Sequence, residues 1–221
     1  MPASPDLAFL KAVSGESPVR HARDEYARAL SGLGIPTPDG WLADFRRLFA
    51  STRRAGDSVL LFPGAGHPLK QWPLVQYFQL ADLIEAQELR PVFVLGPAEL
   101  ERGVVPLGRV TAAPQSLEEL EKLILSARFV VGGDTGPMHL AGMLGVPGVS
   151  LFGPTSFAQW GPAGMVELSL NLPCSPCTAT CADLACESPR CLKDITPEAV
   201  LENVMHLELE SKIGFQGPGI P

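Results

Sequence analysis

The sequence lacks long hydrophobic runs, an excess of positive charge, and cysteines outside one short segment. No apolar run approaches the roughly 20 residues that a helix needs to cross a bilayer. The start, MPASPDLAFLKAVSGES, has neither the charged beginning nor the continuous apolar core of a signal peptide. The formal net charge of −7 argues against a nucleic-acid backbone as the main ligand. These absences predict a globular cytoplasmic protein without a transmembrane segment.

Short buried runs alternate with helical patterns over the middle of the chain, and no internal repeat interrupts them. Apolar runs rich in Val and Leu predict strands at 58–62, 91–95, about 109–111, 127–132 and 147–152. Helical spacing predicts helices at 73–87, 116–127 and 136–145, and another that starts at Thr196 and Pro197. Strands that alternate with helices in this way predict an α/β fold, a Rossmann-like doubly wound parallel sheet covered on both faces.

The flanks of this region differ from it. Residues 1–54 contain two amphipathic patterns, at 20–32 and 39–51, and form a helical N-terminal segment in which Asp39 is expected to cap the second helix. Residues 55–210 form the Rossmann-like domain. Residues 211–221 are rich in Gly and Pro and are expected to be a flexible tail.

The stretch FVVGGDTGPMHLAGMLG, residues 129–145, joins a predicted strand to a predicted helix. In a doubly wound sheet, ligands bind at such loops, outside the carboxyl ends of the strands. With Pro137 at the first helical position, the N–H groups of Gly136, Met138 and His139 are expected to lack intrahelical partners and to point at the loop mouth. The glycines and the helix dipole then favour a phosphate-like anion. A tight capped turn without a ligand is the alternative interpretation.

Two side chains at this junction carry further expectations. His139 lies in the first helical turn, where side chains lean toward the N-terminus, so its ring can reach the same anion. A purely structural histidine is the alternative. Asp134 would repel a diphosphate, and it is therefore expected either to cap the helix or to accept a hydrogen bond from a sugar hydroxyl.

The segment FPGAGHPLKQWP also follows a predicted strand and precedes a helix, so it is expected at the same edge of the sheet. Gly64 and Gly66 allow a ligand to approach the backbone closely, and Lys70 supplies a cation for a leaving phosphate. Glu99 and Glu101 follow the next strand, where a carboxylate can accept hydrogen bonds from a ribose. The alternatives are an exposed loop lysine and solvated surface acids.

All five cysteines lie between residues 174 and 191. A C-x-x-C spacing opens the segment, which favours a structural zinc site, but no second C-x-x-C follows. Packed thiols or occasional disulfides are the alternative. The zinc ligands under the first interpretation are Cys174, Cys177, Cys181 and Cys191.

The sequence DTGPMHLAGMLGVPGVSLFGPTSFAQWGP, with PGAGHPLKQWP before it and CLKDITPEAV after the cysteines, resembles the bacterial heptosyltransferases of glycosyltransferase family 9. The order and spacing match from about Arg20 to about Leu207. The resemblance implies one half of a GT-B architecture, in which two Rossmann-like halves face each other and the C-terminal half binds the donor, ADP-heptose. This chain resembles that half with an N-terminal helical appendage.

The resemblance also implies an activity and its residues. The activity is inverting transfer of a sugar to a lipopolysaccharide-core acceptor, in the cytoplasm or at the inner-membrane surface, with no cofactor required. Lys70 is the residue expected to stabilise the leaving phosphate. The donor-binding residues carried over from the family are Lys70, Glu99, Asp134, Thr135, Gly136 and His139. The loop residues Gly64, Ala65 and Gly66 complete the predicted donor-binding set.

The sequence departs from the family in two places. Family members often carry a hydroxyl residue in the loop before the lysine, where this chain has Ala65 and Gly66, so that contact to phosphate is lost or passes to backbone N–H groups. Only about 55 residues precede the first strand, whereas a second Rossmann-like half would need on the order of 100. The family's acceptor site and general base belong to that half, so no general base is identified. A non-catalytic nucleotide-sugar-binding module that needs a partner chain, and a relative with vestigial loops, are therefore the alternative functions.

Overall fold

The protein, seen in a computed structural model, is built on a parallel sheet of six strands with helices on both faces. The structure describes residues 20–213 except 52, 105, 107, 171 and 178–185. The strands are β1 Ser58–Phe62, β2 Arg90–Val94, β3 Thr111–Ala112, β4 Phe129–Gly132, β5 Gly148–Phe152 and β6 Val166–Ser169. The helices are α1 Ala22–Gly32, α2 Trp41–Phe49, α3 Leu74–Glu85, α4 Pro97–Glu101, α5 Leu117–Ser126, α6 Gly136–Met143, α7 Phe157–Trp160, α8 Arg190–Lys193 and α9 Pro197–Ile213, with a 3₁₀ turn at Pro68–Lys70.

The strand order is β3-β2-β1-β4-β5-β6, and every neighbouring pair is parallel. The chain winds outward from β1 to β3, then returns to β4 beside β1 and winds the other way. At this reversal the loops after β1 and β4 diverge to opposite faces and leave a crevice outside the carboxyl ends of the strands. The predicted Rossmann-like, doubly wound α/β fold is confirmed.

The core has two layers, one on each face of the sheet. β1 and β5 are buried along their whole length, as strands covered on both sides must be. One layer packs α3 and α9 on the sheet through residues such as Tyr77 and Val204. The other packs α5 and α6 through residues such as Ile124 and Met138.

The N-terminal helices are attached to the sheet domain by polar contacts. The Arg46 guanidinium of α2 donates to two carbonyls at the end of α6, Gly142 O at 2.8 Å and Met143 O at 3.2 Å. Gly142 O also accepts from the Gly145 N–H at 3.2 Å. The His21 ring contacts Gly161 O through Nε2 at 2.8 Å. Because His21 Nδ1 accepts from the Arg23 N–H at 3.1 Å, the ring proton is on Nε2, which is the donor to Gly161.

Some element boundaries differ from the sequence prediction. Gly40, not Asp39, is the N-cap of α2, because the chain enters the helix with φ of 74° at that position, a conformation that glycine adopts easily. α9 continues to Ile213, so the predicted tail is helical at its first residues, while 214–221 lie outside the described residues. β6 was not predicted, because the run VELS is short and only half-buried. No helix in the described part of the chain is long and apolar enough to span a bilayer.

Candidate functional site

A cavity of about 620 Å³ opens at the reversal of the strand order. Its walls come from the loops that follow β1, β2, β3 and β4, because all four strands end at the same edge of the sheet. We call it the switch-point cavity. The residues predicted for the donor that line it are Gly64, Ala65, Gly66, Glu99, Asp134, Thr135 and Gly136.

The loop after β1 and the start of α4 meet at Gly64 and Glu99. The Glu99 carboxylate accepts a hydrogen bond from the Gly96 N–H at 2.9 Å, which holds the carboxylate at the start of the helix. A Cβ atom added at Gly64 would lie 2.2 Å from Glu99 Oε1. Glycine at position 64 is therefore what allows the carboxylate to lie against the loop.

Asp134 is in contact with three charged or polar side chains beside this cavity. Its Oδ2 accepts hydrogen bonds from Lys70 Nζ at 2.6 Å and from Thr155 Oγ1 at 3.0 Å. His139 Nε2 lies 3.6 Å from its Oδ1. The Lys70 and Asp134 side chains are only 11% and 13% exposed, so this ion pair is screened much less than a surface pair. Lys70 and His139 do not line the cavity themselves, and both contact Asp134, which does.

The surroundings of Asp134 keep it ionised. Burial alone would raise the pKa of its carboxyl, but the contacts from His139, Lys70 and Thr155 and the charge of Lys70 outweigh burial and lower the pKa below its usual value. The negative charge of Asp134 therefore lies beside the Lys70 ammonium, the group expected to bind a phosphate.

The start of α6 differs from the sequence prediction. The helix begins at Gly136, with Thr135 as N-cap and Pro137 in second place. The N–H groups of Met138 and His139, which were expected to be open to a ligand, both donate to Thr135 O, at 3.1 and 3.3 Å. Because the helix starts one residue earlier than predicted, the carbonyl of its N-cap, Thr135, accepts from both of these N–H groups. Of the three N–H groups expected to face an anion, the one that remains for this role is that of Gly136.

Asp134 is also not the cap of α6. No side chain caps this helix, and the hydroxyl oxygen of Thr135 is buried without a hydrogen-bond partner among the described residues. The Asp134 carboxylate turns instead to Lys70 and Thr155, because a charged acceptor gains more from an ammonium group than from a backbone amide. The expectation of a helix cap is wrong at this position.

Several residues that line the cavity were absent from the sequence prediction, and three predicted candidates, Lys70, His139 and Glu101, do not line it. Glu101 is exposed and does not line the switch-point cavity. Gln115, Ser116 and Leu117, at the start of α5, do line it. Ser116 and Glu119 have the spacing of a capping box in the sequence, and Ser116 Oγ accepts from the Glu119 N–H at 3.1 Å. This helix start follows β3 at the same edge of the sheet, so the sequence held a signal for these residues.

The described cysteines do not support the predicted metal site. Cys174 and Cys177 are exposed, whereas Cys191 is buried against Gly153. Cys181 lies outside the described residues. Within the described ranges, no group of three or more His, Cys, Asp or Glu side chains is arranged to hold a metal ion, so the predicted zinc site is not supported.

The sequence and fold match a known family of transferases. The family model of glycosyltransferase family 9 (heptosyltransferase) matches residues 19–186. The chain belongs to this family. Among curated members of family 9, lipopolysaccharide heptosyltransferase 1 of Pseudomonas aeruginosa is 31% identical over 208 residues, which cover 84% of this chain and 58% of that protein.

A family 9 glycosyltransferase and a heptosyltransferase of known structure share the fold. A family 9 glycosyltransferase of Veillonella parvula superimposes with a TM-score of 0.61 at 25% identity, over 87% of this chain and 61% of that one. An E. coli heptosyltransferase solved with ADP superimposes with a TM-score of 0.59 at 21% identity, over 86% of this chain and 58% of that one. The chain thus spans 58% to 61% of the length of these relatives.

Proposed function

We propose that this chain is the donor-binding part of a heptosyltransferase-like enzyme of lipopolysaccharide core assembly, and that a nucleoside diphosphate sugar, ADP-heptose, binds in the switch-point cavity. The observation that carries the proposal is the Lys70–Asp134 pair beside the start of α6, at the reversal of the strand order. The relatives named above support the choice of sugar nucleotide, since one is a heptosyltransferase solved with ADP.

In the proposed reaction, an acceptor hydroxyl attacks the anomeric carbon of the donor, and the bond between that carbon and the diphosphate oxygen breaks with inversion. Negative charge then develops on the departing diphosphate. Lys70 stabilises this charge together with the Gly136 N–H and the dipole of α6. Asp134 holds the ammonium in place, which fixes its position before the charge develops.

The nucleoside is proposed to lie on the β2 and β3 side of the cavity. Glu99, held by the Gly96 N–H, is the acceptor offered to ribose hydroxyls, and the apolar residues Leu117 and Leu120 face the space that a base would fill. In this placement the diphosphate extends toward the loop after β4. Gly136 lies at the end of that loop, and Lys70 contacts it through Asp134.

A second candidate function is a nucleotide-sugar-binding module that acts only with a partner chain. The acids that line the switch-point cavity are both engaged within the described residues, Glu99 by Gly96 and Asp134 by Lys70 and Thr155. Neither is placed as a base for an acceptor hydroxyl. A partner that supplies the other wall of the cleft would provide that base.

The proposal is tested by calorimetry with ADP, AMP and UDP. We expect ADP to bind more tightly than AMP, because the second phosphate reaches Lys70 and Gly136. Lys70→Gln removes the charge and is expected to weaken ADP binding by about 1.5 to 3 kcal/mol while changing AMP binding little. Lys122→Gln, at an exposed lysine of α5, is the control and should leave both affinities unchanged. Equal affinities for AMP and ADP would contradict a diphosphate site, and a clear preference for UDP would change the donor.

A further inference from the structure

Two buried aromatic side chains lie beside the loop that carries Lys70. The loop, residues 63–71, leaves β1 after Phe62 and leads to α3. Trp72, which follows the loop, and Tyr77, in α3, are only 2% and 1% exposed. Neither of them lines the switch-point cavity. Any contribution that these two rings make to the candidate site is therefore made through the loop.

Tyr77 holds the first end of the loop. Its hydroxyl donates to the carbonyl of Phe62, the last residue of β1, at 2.9 Å. Burial raises the pKa of Tyr77 well above its usual value, so the hydroxyl remains a neutral donor. Gly64 and Gly66, which come next, restrain the backbone little by themselves. The point at which the chain leaves the sheet is therefore held by α3.

Trp72 holds the other end of the loop. Its indole Nε1 donates to the Ile195 carbonyl at 3.0 Å, across 123 positions of the chain. Ile195 is buried in the core layer that α3 and α9 form on the sheet. Two residues before Trp72, the N–H of Lys70 donates to His67 O at 2.9 Å and closes the 3₁₀ turn. The backbone of the lysine is thus attached to a point that the core fixes.

The two rings also contact each other. The centroids of Trp72 and Tyr77 are 4.7 Å apart and their planes meet at 77°, an edge-to-face arrangement. One aromatic pair therefore joins both ends of the loop. The loop in turn packs closely on the segment after β4, since a Cβ atom added at Gly133 would lie 3.3 Å from Lys70 O. A displacement of the loop changes the distance between Lys70 and Asp134.

We propose that Trp72 and Tyr77 are positioning residues for Lys70, and that their contacts hold its ammonium group where it meets both Asp134 and a diphosphate. A lysine side chain is long and flexible, so its ammonium group is held in one place only when its backbone is held too. The proposal rests on the proposed function for its ligand. The Lys70–Asp134 ion pair allows the positioning to be measured without a ligand.

The first measurement follows the pKa of the Asp134 carboxyl by NMR of its carboxyl carbon. Tyr77→Phe removes the hydroxyl and Trp72→Phe removes the indole N–H, while both variants keep an aromatic ring. Each is expected to raise the pKa of Asp134 by about 0.5, because the Lys70 charge is held less closely. Lys70→Gln gives the change that follows complete loss of that charge.

The second measurement is a double-mutant cycle on ADP affinity by calorimetry. Tyr77→Phe is expected to weaken ADP binding by about threefold in the unmodified chain and to change it little when Lys70→Gln is already present, since the effect passes through the lysine. Ile124→Val is the control for lost core packing. Ile124 is fully buried in the other core layer and does not line the cavity, so this variant should change neither the pKa of Asp134 nor ADP affinity.

Two results would overturn the positioning role. One is an unchanged pKa of Asp134 in both ring variants, and the other is an equal loss of ADP affinity with and without Lys70. Tyr77→Phe removes only an oxygen atom, so it decides the matter even where Trp72→Phe fails to fold. If the unmodified chain shows no preference for ADP over AMP, the proposed function is wrong, and the NMR measurement still decides whether the two rings position Lys70.

Discussion

Asp134 is the residue on which the candidate site depends. It follows β4, while Lys70 follows β1, so the hydrogen bond between them joins two loops that are 64 positions apart in the chain. Thr155 adds a third loop, from β5. The Asp134 carboxylate holds the Lys70 ammonium in position for the proposed diphosphate. This role explains why an acidic residue occupies a position where it would otherwise repel a phosphate.

The ion pair predicts a pH dependence of stability. The pKa of Asp134 is lowered in the folded chain, below an unfolded value of about 3.9. Its stabilising contribution is therefore present above about pH 4 and is lost as the pH falls through the folded pKa. Asp134→Asn should cost about 1 to 3 kcal/mol of unfolding free energy at pH 7, and this difference should shrink toward pH 3.

Urea unfolding at pH 7, 5 and 3 measures this difference. Glu118→Gln is the control, because Glu118 and Lys122 form an ion pair on an exposed face of α5 and contribute little at any of these pH values. A difference between the unmodified chain and Asp134→Asn that stays constant from pH 7 to pH 3 would show that the effect of the substitution is not electrostatic.

Helix α6 connects the candidate site to the N-terminal helices. Its first residue lines the switch-point cavity, and its last carbonyls bind Arg46 of α2. Between these ends it packs against the loop at Ala163, where a Cβ added to Gly142 would lie 2.5 Å from the backbone oxygen. A backbone atom cannot move aside as easily as the end of a flexible side chain. The close packing of α6 against the loop at Ala163 therefore depends on glycine at position 142.

Gly142→Ala is expected to lower the unfolding free energy by about 1 to 3 kcal/mol, the usual cost of overpacking. Gly136→Ala, in the same helix, is the matched control, because its added Cβ has no heavy atom within 4 Å. We expect the control to leave thermal stability unchanged or slightly higher, since alanine favours the helix. Thermal unfolding of both variants checks the prediction, which is wrong if the two melting temperatures move together.

In the proposed function, the described residues form one wall of the cleft in which transfer occurs. The chain spans 58% of the length of its Pseudomonas aeruginosa relative, and the acids of the switch-point cavity are engaged with Lys70, Thr155 and Gly96. The side chain of Asp24 in α1 is 58% exposed and pairs with Arg23 at 3.4 Å.

We therefore expect the 221-residue chain to bind donor nucleotide but to transfer no sugar by itself. In-line positioning of the acceptor can contribute about 7 to 11 kcal/mol to lowering the barrier, and one wall of a cleft provides little of it. The assay follows turnover of ADP-heptose with a heptose-deficient lipid acceptor, with and without a second polypeptide that carries a Rossmann-like half. Robust transfer by the chain alone would contradict this expectation, and Asp24→Asn would then show whether Asp24 is the base.

The sequence by itself determined the class of fold and the loops that form the site. Buried runs such as VLLF in β1 and FVV in β4 require a sheet covered on both faces, and strand-to-helix alternation makes such a sheet parallel. Parallel strands end at one edge, so Gly64, Glu99 and Gly136 were expected together, and they line one cavity. The fold class and the positions of these loops can be predicted because the spacing of apolar residues and the residues typical of turns depend only on neighbours along the chain.

The tertiary structure alone decided which side chains meet. The order β3-β2-β1-β4-β5-β6 puts β1 beside β4, and only that neighbourhood brings Lys70 to Asp134 instead of leaving the lysine on an exposed loop. Packing set the start of α6 at Gly136 and so paired the N–H groups of Met138 and His139. Arg46 and His21 dock the N-terminal helices onto segments more than 90 residues away. Contacts between distant segments depend on strand order and on helix docking, and no local pattern in the sequence encodes either of them.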